Sequence, residues 1–129
     1  MNKVVVVTRT KDRKIFLKRS IRSVANQSFK DYIHVIVNDG GNPTEVQEVI
    51  DCEDKETQNK IRLFHRSEAS NAPDTIFNES INHINSQYVA IHDDDDTWHP
   101  DFLARSVPVL DSGMKGVVVR TDKITEKIT

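Results

Sequence analysis

One cysteine, Cys52, is all this sequence has, which excludes an internal disulfide framework. Cys52 sits in a polar stretch without a neighbouring histidine, so a catalytic thiol is not expected and a reducing compartment fits. No apolar run approaches the roughly 20 residues that cross a bilayer, and the N-terminus lacks the apolar core of a secretory signal. The chain therefore reads as cytoplasmic, with membrane attachment of any longer parent left open. There is little net charge: the formal value of −2 is too near neutral to argue for nucleic acid or an acidic membrane as partner. Repeats, linkers and low-complexity tracts are also missing, so nothing divides residues 1–129 into more than one domain.

What is present is a foldable composition, 36% hydrophobic and 29% charged, which places the chain among ordered globular proteins rather than disordered ones. Charge is unevenly placed. The first thirty residues hold nine lysines or arginines against one acid, Asp12. Lys14, Lys18 and Arg22 read as a solvated helix face. Arg9, Lys11 and Arg13 follow a strand and could form a positive rim for an anionic ligand.

Short apolar runs alternate with stretches of helical period. Val4-Val5-Val6-Val7 is β-branched on both faces, the mark of a strand buried on both sides of a parallel sheet. Ile15 to Gln27 puts Leu17, Ile21, Val24 and Ala25 on one helical face. His34 to Val37 reads as the second strand, closed by the turn-rich Asn38-Asp39-Gly40-Gly41-Asn42-Pro43. Thr44 with Gln47 forms a capping box for a helix to about Ile50, and Asp51 to Lys60 reads as a polar loop. Ile61 to His65 is a third strand, Pro73 to Ile84 a helix, and Tyr88 to His92 a fourth strand that ends in four aspartates. Pro100 opens a helix whose length Pro108 limits, and Lys115 to Arg120 would be a fifth strand. The alternation predicts an α/β fold with an open, mostly parallel sheet and helices on both faces. Ligands of such sheets bind beyond the carboxyl ends of the strands. That rule selects the segments beginning at Thr8, Asn38, Arg66 and Asp93.

The acidic run Asp93-Asp94-Asp95-Asp96 is the sharpest chemical signal. Four adjacent carboxylates repel one another unless a cation sits among them. If the chain stays extended, Asp93 and Asp95 point to the same side and offer hard oxygen ligands suited to Mn2+ or Mg2+. Such a cation could stabilise a departing diphosphate as a Lewis acid. The competing reading is a hydrated turn whose charge caps the helix at Pro100. The run alone leaves these even; its position at the end of a sheet strand favours the metal. Asp39, in an Asp-Gly turn at the end of the second strand, could accept hydrogen bonds from a base or ribose, or be an ordinary turn residue. Arg9, Lys11, Arg13 and Arg66 could neutralise phosphates, although each alone also reads as a surface charge. His92, His99 and Trp98 read as structural.

Taken in order, several segments resemble the family 2 glycosyltransferases of GT-A fold. They are the apolar strand running into Thr8, Ser23-Val24-Ala25-Asn26-Gln27-Ser28-Phe29, and Val35-Ile36-Val37-Asn38-Asp39-Gly40, followed by Asn78 to Ile81. The last is Tyr88-Val89-Ala90-Ile91-His92-Asp93-Asp94-Asp95-Asp96-Thr97-Trp98-His99-Pro100. The resemblance spans about Val4 to Leu103. It implies a nucleotide-sugar-binding domain that serves sugar transfer, with inversion, from a nucleoside diphosphate to a saccharide or other hydroxyl acceptor. By position, Thr8 and Asp39 would line the nucleoside; Arg9 and Arg66, read above as phosphate-neutralising charges, are taken with them as nucleotide-binding candidates. Asp94 would approach ribose or phosphate, and Asp95 with Asp93 would hold Mn2+ or Mg2+. The family's aromatic residue after the first strand is absent from Thr8-Arg9-Thr10-Lys11. No catalytic base can be assigned, because the acceptor-binding half that supplies one in the family is expected beyond residue 129. Two other classes compete. A non-catalytic module could bind a nucleotide sugar or cation. A receiver-type signalling domain would need acids after the first strand and an aspartate after the third, where this chain has Thr8-Arg9-Thr10 and His65-Arg66.

Overall fold

A computed structural model describes residues 2–68, 82 and 84–117. Four parallel strands form one sheet: β1 (Asn2–Thr10), β2 (Tyr32–Asp39), β3 (Ile61–Arg66) and β4 (Ser86–Ile91), in the order β3-β2-β1-β4. Val4 lies opposite Tyr32 on one side and Tyr88 on the other, so β1 is flanked by both β2 and β4. That position explains the four valines at 4–7, all at most 2% exposed: a central strand has no wet face. β1, β2 and β3 run past their apolar stretches into Thr10, Asp39 and Arg66, because backbone pairing continues into the polar residues that precede the loops.

Helices α1 (Lys14–Ala25), α2 (Pro43–Asp51) and α4 (Phe102–Asp111) cover one face of the sheet. Leu17 and Ile21 of α1 meet Ile36, Val46, Val49, Ile50 and Ile61. Val24 joins Val4, Val6, Tyr32, Leu103 and Val107. Burying side chains of this size contributes roughly 1.5–3 kcal/mol each, so these clusters set the position of α1 against β1. The opposite face carries Val5, Val7, Ile33, Val35 and Val37, with Phe64 and Ile84 packed against them. The helix expected from Pro73 lies almost wholly outside the described residues.

Four expectations are corrected. Residues 51–60 are not a loop throughout: α2 runs to Asp51, and α3 (Lys55–Lys60) follows. The signal lay in Asp54, whose carboxylate accepts from the Thr57 N–H at 2.8 Å as an N-cap. Helix α2 is capped not by Thr44 but by Asn42, whose side chain accepts from the Thr44 N–H at 2.9 Å, with Pro43 in the first turn. Pro108 does not end its helix, which continues to Asp111; only the hydrogen bond to the carbonyl four residues earlier is lost. Lys115 to Val117 form no strand, and residues 118–120 of the expected fifth strand lie outside the described residues. Among the described residues no helix is long and apolar enough to cross a membrane.

A buried polar pair lies under α1. His34 Nε2 and Thr8 Oγ1 are hydrogen-bonded at 2.8 Å. Burial, aided by His92, pushes the His34 pKa down from 6.5 to about 3. The unfolded chain therefore takes up a proton that the folded one refuses. The contribution of a neutral His34 is complete above about pH 6.5 and is lost as pH falls from there toward about 3. Stability should drop by up to roughly 1.4 kcal/mol per pH unit within that window. Urea unfolding at a series of pH values should show a flatter acid limb for His34→Gln than for the wild type; parallel limbs would contradict this assignment.

Candidate functional site

The strand order creates the site. From β1 the chain moves to β2 and β3 on one side, then returns to β4 on the other side of β1. The segments that leave β1 and β4 therefore lie side by side at the carboxyl end of the sheet although they are far apart in sequence, the edge at which such sheets bind ligands. The acidic run lies at this point. Backbone pairing persists one step past β4, with the His92 N–H donating to Val7 O at 3.0 Å.

The chain then turns instead of staying extended. The Asp96 N–H donates to the Asp93 carbonyl at 3.0 Å, closing a four-residue turn. Asp93, Asp95 and Asp96 consequently gather on the solvent side, each offering a carboxylate oxygen within 4.8 Å of the others. Asp96 was not anticipated as part of this group, since strand alternation would have sent it away; four consecutive turn-prone residues were the available signal. Asp94 faces inward and is only 5% exposed. It accepts from Thr10 Oγ1 at 3.2 Å, and Arg13 Nη1 lies 3.1 Å from its other oxygen. The Asp94 carboxyl is raised above the usual carboxylate range, chiefly by burial, against the opposing pull of Arg13 and Thr10. Asp96 is raised as well, first by burial and then by the charges of Asp93, Asp95 and Asp94. Such crowding favours a cation at the turn. Three hard oxygen donors in reach of one another suit Mn2+ or Mg2+ in a shell shared with waters and phosphate.

Helix α1 holds this loop by a polar stripe. Ser20, Ser23 and Gln27 recur at helical spacing along one face. Ser20 Oγ and His92 Nδ1 are hydrogen-bonded at 3.0 Å, and Ser23 Oγ accepts from the Trp98 N–H at 2.7 Å. Gln27, fully buried, donates to His99 O at 2.9 Å and accepts from the Leu103 N–H at 3.0 Å. Trp98 meets His92 edge-on and stacks on Phe102, with ring centroids 4.5 and 4.3 Å apart. Both ends of the segment from His92 to Leu103 are thus fixed, one to α1 and the other to Gln27 just beyond its end. This explains the serine and glutamine of the Ser23–Phe29 segment, which periodicity alone presented only as a helix ending. His92 is structural: burial lowers its pKa from 6.5 to about 4 and keeps it neutral. His99 accepts from the Asp101 N–H through Nδ1 at 3.1 Å.

A second cluster occupies the other face of the sheet at the ends of β1, β2 and β3. Asp39, fully buried, accepts from Arg9 Nε at 2.7 Å, and Arg66 Nε lies 3.5 Å from its other oxygen. Register supports the grouping, since Asp39 is paired directly with Arg66. The turn beyond is tight. Gly40 has φ 84°, and a Cβ on Gly41 would fall 2.7 Å from Asn38 Oδ1 and 2.9 Å from the Asp12 nitrogen. Asp12 itself accepts from the Asn42 N–H at 2.8 Å, joining the loops that follow β1 and β2.

The candidates named from sequence thus fall into groups. Arg9, Asp39 and Arg66 meet in one cluster; Asp93 and Asp95 meet in another with Asp96. Asp94 joins Thr10 and Arg13. Thr8 is fully buried with its hydroxyl turned inward to His34, so it does not line the site as expected. Lys11 is exposed.

The parallel sheet, with acids at its switch point, has the GT-A fold. The chain belongs to Glycosyl transferase family 2, whose profile matches residues 4–129. It is 32% identical over 111 residues to an uncharacterized glycosyltransferase of Methanocaldococcus jannaschii, covering 84% of this chain and 37% of that protein. It is 28% identical over 96 residues to the GalNAc(5)-diNAcBac-PP-undecaprenol beta-1,3-glucosyltransferase of Campylobacter jejuni, covering 74% and 30%. The fold is shared with S. aureus TarS in complex with UDP-GlcNAc, at TM-score 0.74 and 20% identity over 95% of this chain and 37% of that one. It is also shared with the mannosyltransferase PcManGT from Pyrobaculum calidifontis in complex with GDP-Man and Mn2+, at TM-score 0.68 and 18% identity over 80% and 30%. The chain spans about a third of the length of these two relatives.

Proposed function

We propose that this chain is the donor-binding part of a glycosyltransferase, and that it holds a nucleoside-diphosphate sugar through a divalent cation. The observation that carries the reading is the grouping of Asp93, Asp95 and Asp96 at the carboxyl end of β4, beside the central strand β1. Those three carboxylates would hold Mn2+ or Mg2+. A cation bound there supplies offset for the negative charge that develops on a departing diphosphate. Arg9, Asp39 and Arg66 form the nucleoside side of the site, with the close-packed turn at Gly40 and Gly41 allowing backbone approach. Asp94 braces the acidic turn from within through Thr10 and Arg13.

The whole protein is proposed to transfer the sugar with inversion to a saccharide or other hydroxyl acceptor, using a base from outside the described residues. A cytoplasmic setting, where thiols such as Cys52 stay reduced, agrees with exposed Cys52 as the one cysteine. The test is a binding screen by calorimetry across UDP-, GDP- and dTDP-sugars, each with Mn2+ and with chelator. At least one donor should bind at least about tenfold more tightly with the metal, as expected where a cation shares its shell with substrate phosphate. Donor binding indifferent to chelation would sink the metal reading, and absence of binding to every donor would sink the proposal.

A further inference from the structure

We propose that Arg13 is a switchable counter-ion of this site: it neutralises the acidic turn in the free protein and turns to the diphosphate once a divalent cation has entered. The inference rests on the reading of Asp93, Asp95 and Asp96 as the metal-holding group. Arg13 Nη1 lies 3.1 Å from Asp94 Oδ1, and Nη2 lies 3.7 Å from Asp95 Oδ2. One guanidinium therefore spans two members of the acidic turn, one facing inward and one facing solvent. Its inner contact is short and to a buried oxygen; its outer contact is long and to a half-exposed one. The outer contact is the weaker and the easier to exchange.

The side chain is also held from a second direction. The guanidinium carbon lies 4.5 Å from the centroid of the Phe16 ring, one helical turn along α1. A guanidinium on an aromatic face keeps its edge donors available to an anion. Arg13 follows Asp12, whose left-handed φ of 50° is fixed by its bond to the Asn42 N–H. Anchored backbone, ring platform and inner carboxylate leave a short arc of movement, from Asp95 to whatever lies beside it.

Electrostatics gives that movement a direction. A dication on Asp95 repels the guanidinium from the same carboxylate and weakens the 3.7 Å contact. A diphosphate beside the cation is the anion for which a planar fork of donors is matched. Arg13 should thus oppose metal binding on its own and favour nucleotide binding with the metal present. A residue with a merely structural role would move both affinities the same way, or neither.

The experiment is a pair of titrations on wild type, Arg13→Gln and Arg13→Lys: Mn2+ alone, then UDP and GDP in saturating Mn2+. Removal of the charge should tighten Mn2+ alone roughly threefold and weaken the nucleotide about tenfold, as charge-assisted bonds at a partly exposed site imply. Arg13→Lys should keep Mn2+ affinity near that of wild type, yet bind nucleotide less well than wild type, because an ammonium lacks the fork. Phe16→Leu, which keeps Arg13 but removes the ring, should weaken nucleotide binding without tightening Mn2+. Opposite signs for the two ligands in Arg13→Gln support the proposal. Equal weakening of both, or no change in either, overturns it while leaving the metal reading intact. A wild type whose nucleotide affinity ignores Mn2+ overturns both.

Discussion

Asp95→Asn should abolish the extra stabilisation that Mn2+ and a nucleoside diphosphate give together, while leaving the metal-free protein near wild-type stability. The substitution is nearly isosteric, and Asp95 is exposed, so little packing is at stake. Its contact with Arg13 is long, at 3.7 Å, and exposed ion pairs contribute about 0–1 kcal/mol. The metal, in contrast, would lose one of three carboxylates that reach a common point. Changing a group that merely supports a metal ligand already costs about 10–100-fold in affinity, so removing a ligand should cost at least the upper end. With ligands at about a hundred times their dissociation constant, wild type gains about 2.7 kcal/mol. That corresponds to a rise in Tm on the order of 10 °C for a domain of this size. Asp95→Asn should show no more than a small fraction of it in differential scanning fluorimetry. Asp94→Asn is the informative contrast. Asp94 faces Thr10 and Arg13, so its substitution should lower metal-free stability and leave much of the metal-dependent gain. Equal shifts in wild type and Asp95→Asn would remove that residue from the metal group.

The second large effect is expected at Asp39. Asp39→Ala removes a fully buried carboxylate that Arg9 and Arg66 both approach. Breaking a buried ion pair by removing one partner costs about 3–5 kcal/mol when the other charge stays buried. Arg9 and Arg66 are about one-third exposed, so each can turn partly to water. The expected loss is therefore smaller, roughly 2–3 kcal/mol in urea unfolding. Asp39→Asn keeps the shape and an acceptor for Arg9, and should lose about half as much. Nucleotide binding should separate the two roles. If Asp39 fixes arginine donors at the nucleoside side, both variants lose discrimination among UDP, GDP and dTDP in proportion to the charge removed. A stability loss below about 0.5 kcal/mol, the range of ordinary surface substitutions, together with unchanged discrimination, would contradict this account of the cluster.

Legibility followed the physical origin of each signal. The four valines at 4–7 and the apolar spacing of Leu17, Ile21 and Val24 arise from burial, which writes directly into periodicity, and both reappear in the core clusters. The carboxyl ends of the strands were legible as the place to look, because alternation implies a parallel sheet, whereas the strand order that sets β1 between β2 and β4 was not. What periodicity missed was polar and local. Asp54 capping α3 is a single carboxylate bonded three residues ahead, and it stands inside a stretch whose polarity alone suggested a loop. Pro108 inside α4 shows the reverse error, a breaker overridden by packing of Leu103 and Val107 on the sheet.

The candidate site divides in the same way. Asp93 and Asp95 were correctly placed on one side, but through a turn rather than an extended strand, and the turn is what brings in Asp96. The inward rotation of Asp94 and Thr8 could not be read from order along the chain, because it depends on Thr10, Arg13 and His34 arriving from other elements. The stripe of Ser20, Ser23 and Gln27 was visible at helical spacing, on the helix surface next to an otherwise apolar face. Without the partners contributed by His92, Trp98, His99 and Leu103 it resembles ordinary helix surface.

The central claim is that the carboxylates at the sheet mouth and a nucleotide's phosphates share one cation. Paramagnetic relaxation of the phosphorus nuclei of bound UDP or GDP by substoichiometric Mn2+ tests it most directly, because the effect falls steeply with distance from the ion. Both phosphorus signals should broaden strongly in wild type, and the protein-dependent part of that broadening should vanish in an Asp93→Asn, Asp95→Asn double variant. Relaxation no different from that of Mn2+ and nucleotide free in solution, or identical in wild type and the double variant, would show that the acidic turn does not hold the metal against the diphosphate.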